Sequence, residues 1–131
     1  MKILALDLGD VWTGTALTDP LKIIARPHKT IKTVDLITFL NELFEKEKID
    51  TIVIGYPRTM RGTESEQTKK VLVQKEEIEK LFSTKKIVLW DERLSSKGAR
   101  SIQGKKAKTD SNQEHSIAAA LILQTYLQFI C

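Results

Sequence analysis

Two acidic positions stand where apolar runs end: Asp7 after Ile3-Leu4-Ala5-Leu6, and Asp91-Glu92 after Ile87-Val88-Leu89-Trp90. Carboxylates brought to one edge of a sheet repel one another unless positive charge lies between them. A divalent metal meets that need, because carboxylates are hard oxygen ligands. Metals held this way align an attacking water and neutralise a leaving oxygen, which is the chemistry of phosphodiester hydrolysis. A third ligand is usual, and Asp110, Glu114 and His115 gather where the last helical stretch begins.

The elements that must position these groups can be read from periodicity. Residues 2 to 8 form a buried strand closed by Gly9-Asp10, and Trp12 to Leu17 alternates as its antiparallel hairpin partner, with Asp19-Pro20 as the next turn. Leu21 to Ile24, extended toward Ile31, is expected as a third strand that includes His28, a lone histidine read as structural or exposed. Val34, Leu36, Ile37, Leu40, Leu43 and Phe44 recur at helical spacing behind Thr33 as N-cap. Thr51 to Gly55 has the all-apolar, β-branched character of a central parallel strand.

Thr63 to Glu66 has capping-box spacing ahead of a second helix through Phe82. Lys86 to Trp90 is a further buried strand; Ser95 or Ser96 begins a short helix to Ile102 that Gly104 stops; Ser111 to Glu114 repeats the capping-box spacing before the last helix. The order is β-β-β-α-β-α-β-α with the short helix inserted, an α/β arrangement that resembles the ribonuclease H fold: a five-stranded mixed sheet flanked by helices. In this topology the strands ending at Asp7 and Trp90 are expected to flank the strand from 51 to 55 or to lie very near it, so distant acids converge on one edge.

A chain of 131 residues with 41% hydrophobic and 29% charged residues is expected to form one domain, 1–131, without disulfides or structural metal. No apolar run approaches a bilayer span, so no membrane partner is expected. Asp7 interrupts what would be the apolar region of a signal peptide and Cys131 is the single cysteine, which together predict a cytoplasmic protein. The net charge of +4 favours a polyanionic partner. Basic residues gather at Arg58 and Arg61, at Lys69 and Lys70, at Arg93, Lys97 and Arg100, and at Lys105, Lys106 and Lys108.

From these, Arg61, Thr63, Arg93, Lys97, Lys105 and Lys106 are the candidate nucleic-acid contacts. Gly62 and the helix start at Thr63 would offer free backbone N–H groups to a phosphate, although Thr63 could equally be only a cap. The planar guanidinium of Arg93 could clamp a phosphate or pair with Asp91. Trp12 could stack on a base, but an aromatic residue at a strand start more often packs.

Four segments in fixed order carry a resemblance: Leu6-Asp7-Leu8-Gly9 with Thr13-Gly14-Thr15-Ala16; Val53-Ile54-Gly55-Tyr56-Pro57 with Met60 to Ser65; Trp90-Asp91-Glu92-Arg93-Leu94-Ser95; and Ser116 to Gln124. Across almost its whole length the chain resembles the YqgF-type, RuvX-like family of Holliday junction resolvases and pre-16S rRNA nucleases. The resemblance implies a metal-dependent endonuclease acting on structured RNA or branched DNA, working with the pre-ribosomal small subunit or on four-way junctions, as a monomer or homodimer.

Asp7 would be the first metal ligand and catalytic group, with Glu92 the second, joined or not by Asp91. The family places an aspartate just before Ser-x-Ala-Ala; here that residue is His115. Imidazole can ligate a metal or act as a base, so His115 becomes the third catalytic candidate, with Glu114 or Asp110 supplying a further oxygen and Mg2+ or Mn2+ as the ion, manganese gaining from the nitrogen ligand. Trp12-Thr13 replaces the family's basic-then-aliphatic pair. If His115 only decorates the helix, the alternative is a non-catalytic nucleic-acid-binding ribosome-assembly factor with a degenerate site.

Overall fold

The computed structural model describes residues 1–56, 66–91 and 111–130, with backbone alone at positions 66, 67, 91 and 111–113. The strands are β1 (Lys2–Leu8), β2 (Trp12–Thr18), β3 (Ala25–Lys32), β4 (Ile49–Tyr56) and β5 (Lys86–Asp91). The helices are α1 (Leu36–Lys46), α2 (Glu66–Leu81) and α3 (Ser111–Ile130).

The five strands form one mixed sheet in the order β3-β2-β1-β4-β5, antiparallel among the first three and parallel from β1 through β5. That is the sheet expected from the element order. β4 lies between β1 and β5, as required for Asp7 and Asp91 to approach one edge.

Period-two alternation divides the core between two faces. Leu4, Leu6, Leu8, Ile52 and Ile54 pack with Leu36, Leu40 and Leu43 of α1 and with Val71 and Ile78 of α2. Ile3, Ala5, Ala16 and Val53 pack with Ala119, Ile122, Leu123, Tyr126 and Leu127 of α3. On this second face the small residues Ala5 and Ala16 let α3 lie close against the hairpin. Trp90 fixes the far side of the same helix: its indole Nε1 donates to Thr125 Oγ1 at 2.9 Å, and its ring meets Tyr126 and Phe129 at 5.5 and 5.1 Å.

Two local expectations are corrected. The third strand begins at Ala25, not Leu21, because Asp19 Oδ1 accepts the backbone N–H groups of Ile23 and Ile24 at 2.8 and 2.9 Å and closes a turn there. Those two hydrogen bonds, Ile24 first, hold the Asp19 carboxyl below its ordinary value. Lys22 occupies the left-handed region at φ 59°, which no strand accommodates.

Thr33 does not cap α1. It opens a 3-10 turn, Thr33–Asp35, and Asp35 occupies the N-cap position without a side-chain cap bond. Its hydroxyl is engaged elsewhere, at the turn that follows Asp7. The expected caps at Thr63 and Ser95 or Ser96 and the short helix to Ile102 lie outside the described residues. Among the described residues no helix is long and apolar enough to cross a membrane.

Candidate functional site

Asp7 is the penultimate residue of β1, paired across the hairpin with Gly14. Cross-strand partners in an antiparallel pair share a face, so the carboxylate of Asp7 and the missing side chain of Gly14 lie on the α3 side of the sheet. The first turns of α3 settle into the space at Gly14: a Cβ built there would overlap the carbonyl of His115 and stand 2.8 Å from the backbone nitrogen of Ser116. Glycine within a strand marks this kind of close backbone approach.

The approach delivers His115 to Asp7. Its Nδ1 stands 4.0 Å from Asp7 Oδ2, with the imidazole 36% and the carboxylate 22% exposed, so both reach solvent and each other. Two ligands each about 2.1 Å from one ion can stand at most about 4.2 Å apart, and this pair fits within that span. A carboxylate oxygen and an imidazole nitrogen together suit a divalent ion of the first transition row.

The turn after Asp7 is held from below. The Thr33 hydroxyl donates to the Gly9 carbonyl at 2.7 Å and therefore accepts from the Thr13 hydroxyl at 2.9 Å, while the Thr33 backbone N–H donates to Val11 at 2.8 Å. A side chain at Gly9 would collide with the Trp12 carbonyl, so the turn is tight. Thr33→Val keeps the shape and deletes these hydroxyl bonds; the expected result is a loss of about 1 kcal/mol in urea unfolding.

Among the sequence candidates, Asp7 and His115 are brought together. Glu114 is exposed on the same helical turn. Asp91 ends β5 opposite Tyr56, described by its backbone alone. Glu92 and Asp110, and the nucleic-acid candidates Arg61, Thr63, Arg93, Lys97, Lys105 and Lys106, lie outside the described residues. Among the described residues no group of three or more His, Cys, Asp or Glu side chains forms a metal cluster.

His28 is on edge strand β3, its ring 6.0 Å from Phe39 of α1, and partial shielding from water lowers its pKa. That is the structural placement expected of it. Gly14 is the residue that sequence reasoning undervalued. Its signal was present, a glycine inside the alternating run Thr13-Gly14-Thr15-Ala16.

Comparison with known proteins agrees in fold and length. The family described as "RuvX: Holliday junction resolvase" matches residues 1–129. A relative from Rubrobacter xylanophilus named "Putative pre-16S rRNA nuclease" is 35% identical over 129 residues, covering 97% of this chain and 92% of its own. One of the same name from Christiangramia forsetii is 38% identical over 131 residues, covering 96% and 97%.

Among solved structures, RuvC of T. thermophilus in complex with Holliday junction substrate superposes with a TM-score of 0.64 at 13% identity, covering 99% of this chain and 96% of that one. The Fowlpox virus resolvase in complex with Holliday junction DNA gives 0.56 at 13% identity, covering 99% of both chains. At such identities the likeness is one of fold, and that fold is ribonuclease H-like.

Proposed function

The chain belongs to the RuvX Holliday junction resolvase family, and from that premise we propose that it is an endonuclease that hydrolyses phosphodiester bonds in structured nucleic acid with a divalent metal at Asp7 and His115. The observation that carries this reading is the 4.0 Å approach of His115 Nδ1 to Asp7 Oδ2 at the carboxyl end of β1. Family membership supports the reaction class, and the relatives' names support structured ribosomal RNA precursor beside branched DNA as the substrate.

Glu92 is the proposed third ligand. It follows β5 directly in sequence, and the family resemblance makes it the carboxylate partner of Asp7. When bound, the metal lowers the pKa of a water nucleophile and offsets charge on the leaving oxygen. The chain's own part is placement. Asp7 supplies the anionic oxygen from a rigid strand end, and His115 supplies nitrogen from a helix locked against Gly14. Loss of that lock loosens the pair.

Nitrogen in place of a third carboxylate points to Mn2+ above Mg2+, since magnesium favours oxygen and keeps its waters. The test is cleavage of a labelled four-way DNA junction and of a structured precursor RNA, with either metal, by wild type, His115→Ala and His115→Asp. Wild type is expected to cut with manganese in preference to magnesium, and His115→Ala to lose most of that activity. His115→Asp is expected to lower the manganese-to-magnesium rate ratio by about tenfold. Salt-sensitive binding without cleavage under either metal would overturn the nuclease reading and leave a non-catalytic binding factor.

A further inference from the structure

Beside the Asp7 turn lies an open groove of about 340 Å³, lined by Gly9 and Asp10 from the hairpin and by Lys69, Lys70, Val73 and Gln74 from α2. Across it Lys70 Nζ meets Asp10 Oδ1 at 3.1 Å. The two side chains are 58% and 57% exposed, so the pair contributes little to holding the fold together. Val73 is 65% exposed on the same wall, an apolar side chain with no core role. Lys69, Lys70, Val73 and Gln74 sit one turn apart on one face of α2, while Val71 and Ile78 turn into the core.

A wall that offers ammonium groups beside an apolar patch is chemically matched to a nucleotide, whose phosphate takes the cation and whose sugar covers the methyl groups. We propose that Lys70 binds a backbone phosphate of the nucleic-acid strand running through this groove, and that Asp10 is a built-in competitor occupying the ammonium until that phosphate displaces it. The proposal rests on the nuclease reading above and extends it to where the substrate lies.

Gly9 is two residues past Asp7, within about 7 Å of extended chain. The groove is lined by neither Asp7 nor His115, so a phosphate held by Lys70 lies beside the site and not in it, and Lys70 is a positioning residue. Asp10 gives the contact selectivity. A phosphate must displace a carboxylate of like charge and leave it nearby, so weakly placed, non-specific nucleic acid is penalised more than a substrate anchored elsewhere on the protein.

The test is a binding titration without divalent metal, so that no cleavage intervenes, using a labelled four-way DNA junction and a labelled stem-loop RNA over a range of salt. Four proteins are compared: wild type, Lys70→Gln, Asp10→Asn and the double variant. Lys70→Gln is expected to raise Kd about three- to tenfold and to reduce the slope of log K against log salt on DNA by about 0.9, one released counterion. Asp10→Asn is expected to lower Kd about threefold in the wild-type background and to change nothing once Lys70 is gone.

Unchanged melting temperatures in all three variants establish that binding, not folding, is being read. Wild-type Kd and salt slope retained in Lys70→Gln overturn the phosphate contact. Weaker binding in Asp10→Asn overturns the competitor role. No binding of either probe by wild type at low salt would refute the nuclease reading as well, which separates the two failures.

Discussion

Asp7→Asn is expected to abolish metal-dependent cleavage, by about 10³-fold or more, which corresponds to about 4 kcal/mol of lost transition-state stabilisation. Asparagine keeps the size of the side chain and removes the negative charge that would hold a cation, leaving one neutral carbonyl oxygen facing His115. The fold should not notice. Asp7 lies at a strand end, partly exposed, and its ion-pair neighbour among the described residues is His115 itself. Unfolding free energy within about 1 kcal/mol of wild type is the expected control. Single-turnover rates with saturating substrate, measured across a metal titration, distinguish lost chemistry from lost substrate affinity. A variant that cuts at the wild-type rate would remove Asp7 from the reaction.

Much of this site was legible in the amino-acid sequence because burial and chemistry alternate cleanly there. β1 and β4 are apolar almost throughout, as expected of strands covered on both faces, and the point where the run breaks is the point where Asp7 stands. The order of elements then places β4 between β1 and β5. Hydrophobicity failed at β3. Its sequence, Ala-Arg-Pro-His-Lys-Thr-Ile-Lys, is polar and contains proline, which an edge strand tolerates. The neighbouring Leu21, Ile23 and Ile24 read as a better strand yet are exposed, because hydrogen bonds to Asp19 and the left-handed Lys22 bend the chain there.

Thr33 misled for a related reason. A threonine before a helical stripe normally caps, and periodicity contains no sign that the Gly9 carbonyl, distant in sequence, competes for the same hydroxyl. The pairing of Lys70 with Asp10 was equally hidden, since it depends on how α2 returns across the hairpin. Contacts between elements of large sequence separation are what a one-dimensional pattern records least. His115 was legible only by where it sits in the order of segments; its distance to Asp7 follows from packing at Gly14.

Gly14→Ala turns that packing into a measurement. The backbone at Gly14 is not in the left-handed region, so alanine meets no conformational penalty there and would gain slightly from a less flexible unfolded chain. The space is what fails. The added methyl overlaps the His115 carbonyl, and either β2 or the start of α3 must move. Overpacking of this kind costs about 1–3 kcal/mol, so a lower urea midpoint is expected.

The functional effect should be larger than the stability effect. The Asp7–His115 pair, at 4.0 Å, already stands near the widest separation that one ion can bridge, and moving α3 outward takes the imidazole beyond it. The metal concentration for half-maximal cleavage should therefore rise at least about tenfold, in the range seen when groups that orient metal ligands are lost. Leu40→Ala supplies the comparison. Leu40 of α1 is fully buried on the opposite face of the sheet, and its truncation costs about 2–5 kcal/mol without touching the hairpin or α3. Measured well below both melting temperatures, Leu40→Ala should keep the wild-type metal requirement while Gly14→Ala loses it. Equal metal requirements in the two variants would mean that the close approach at Gly14 serves the fold and not the site.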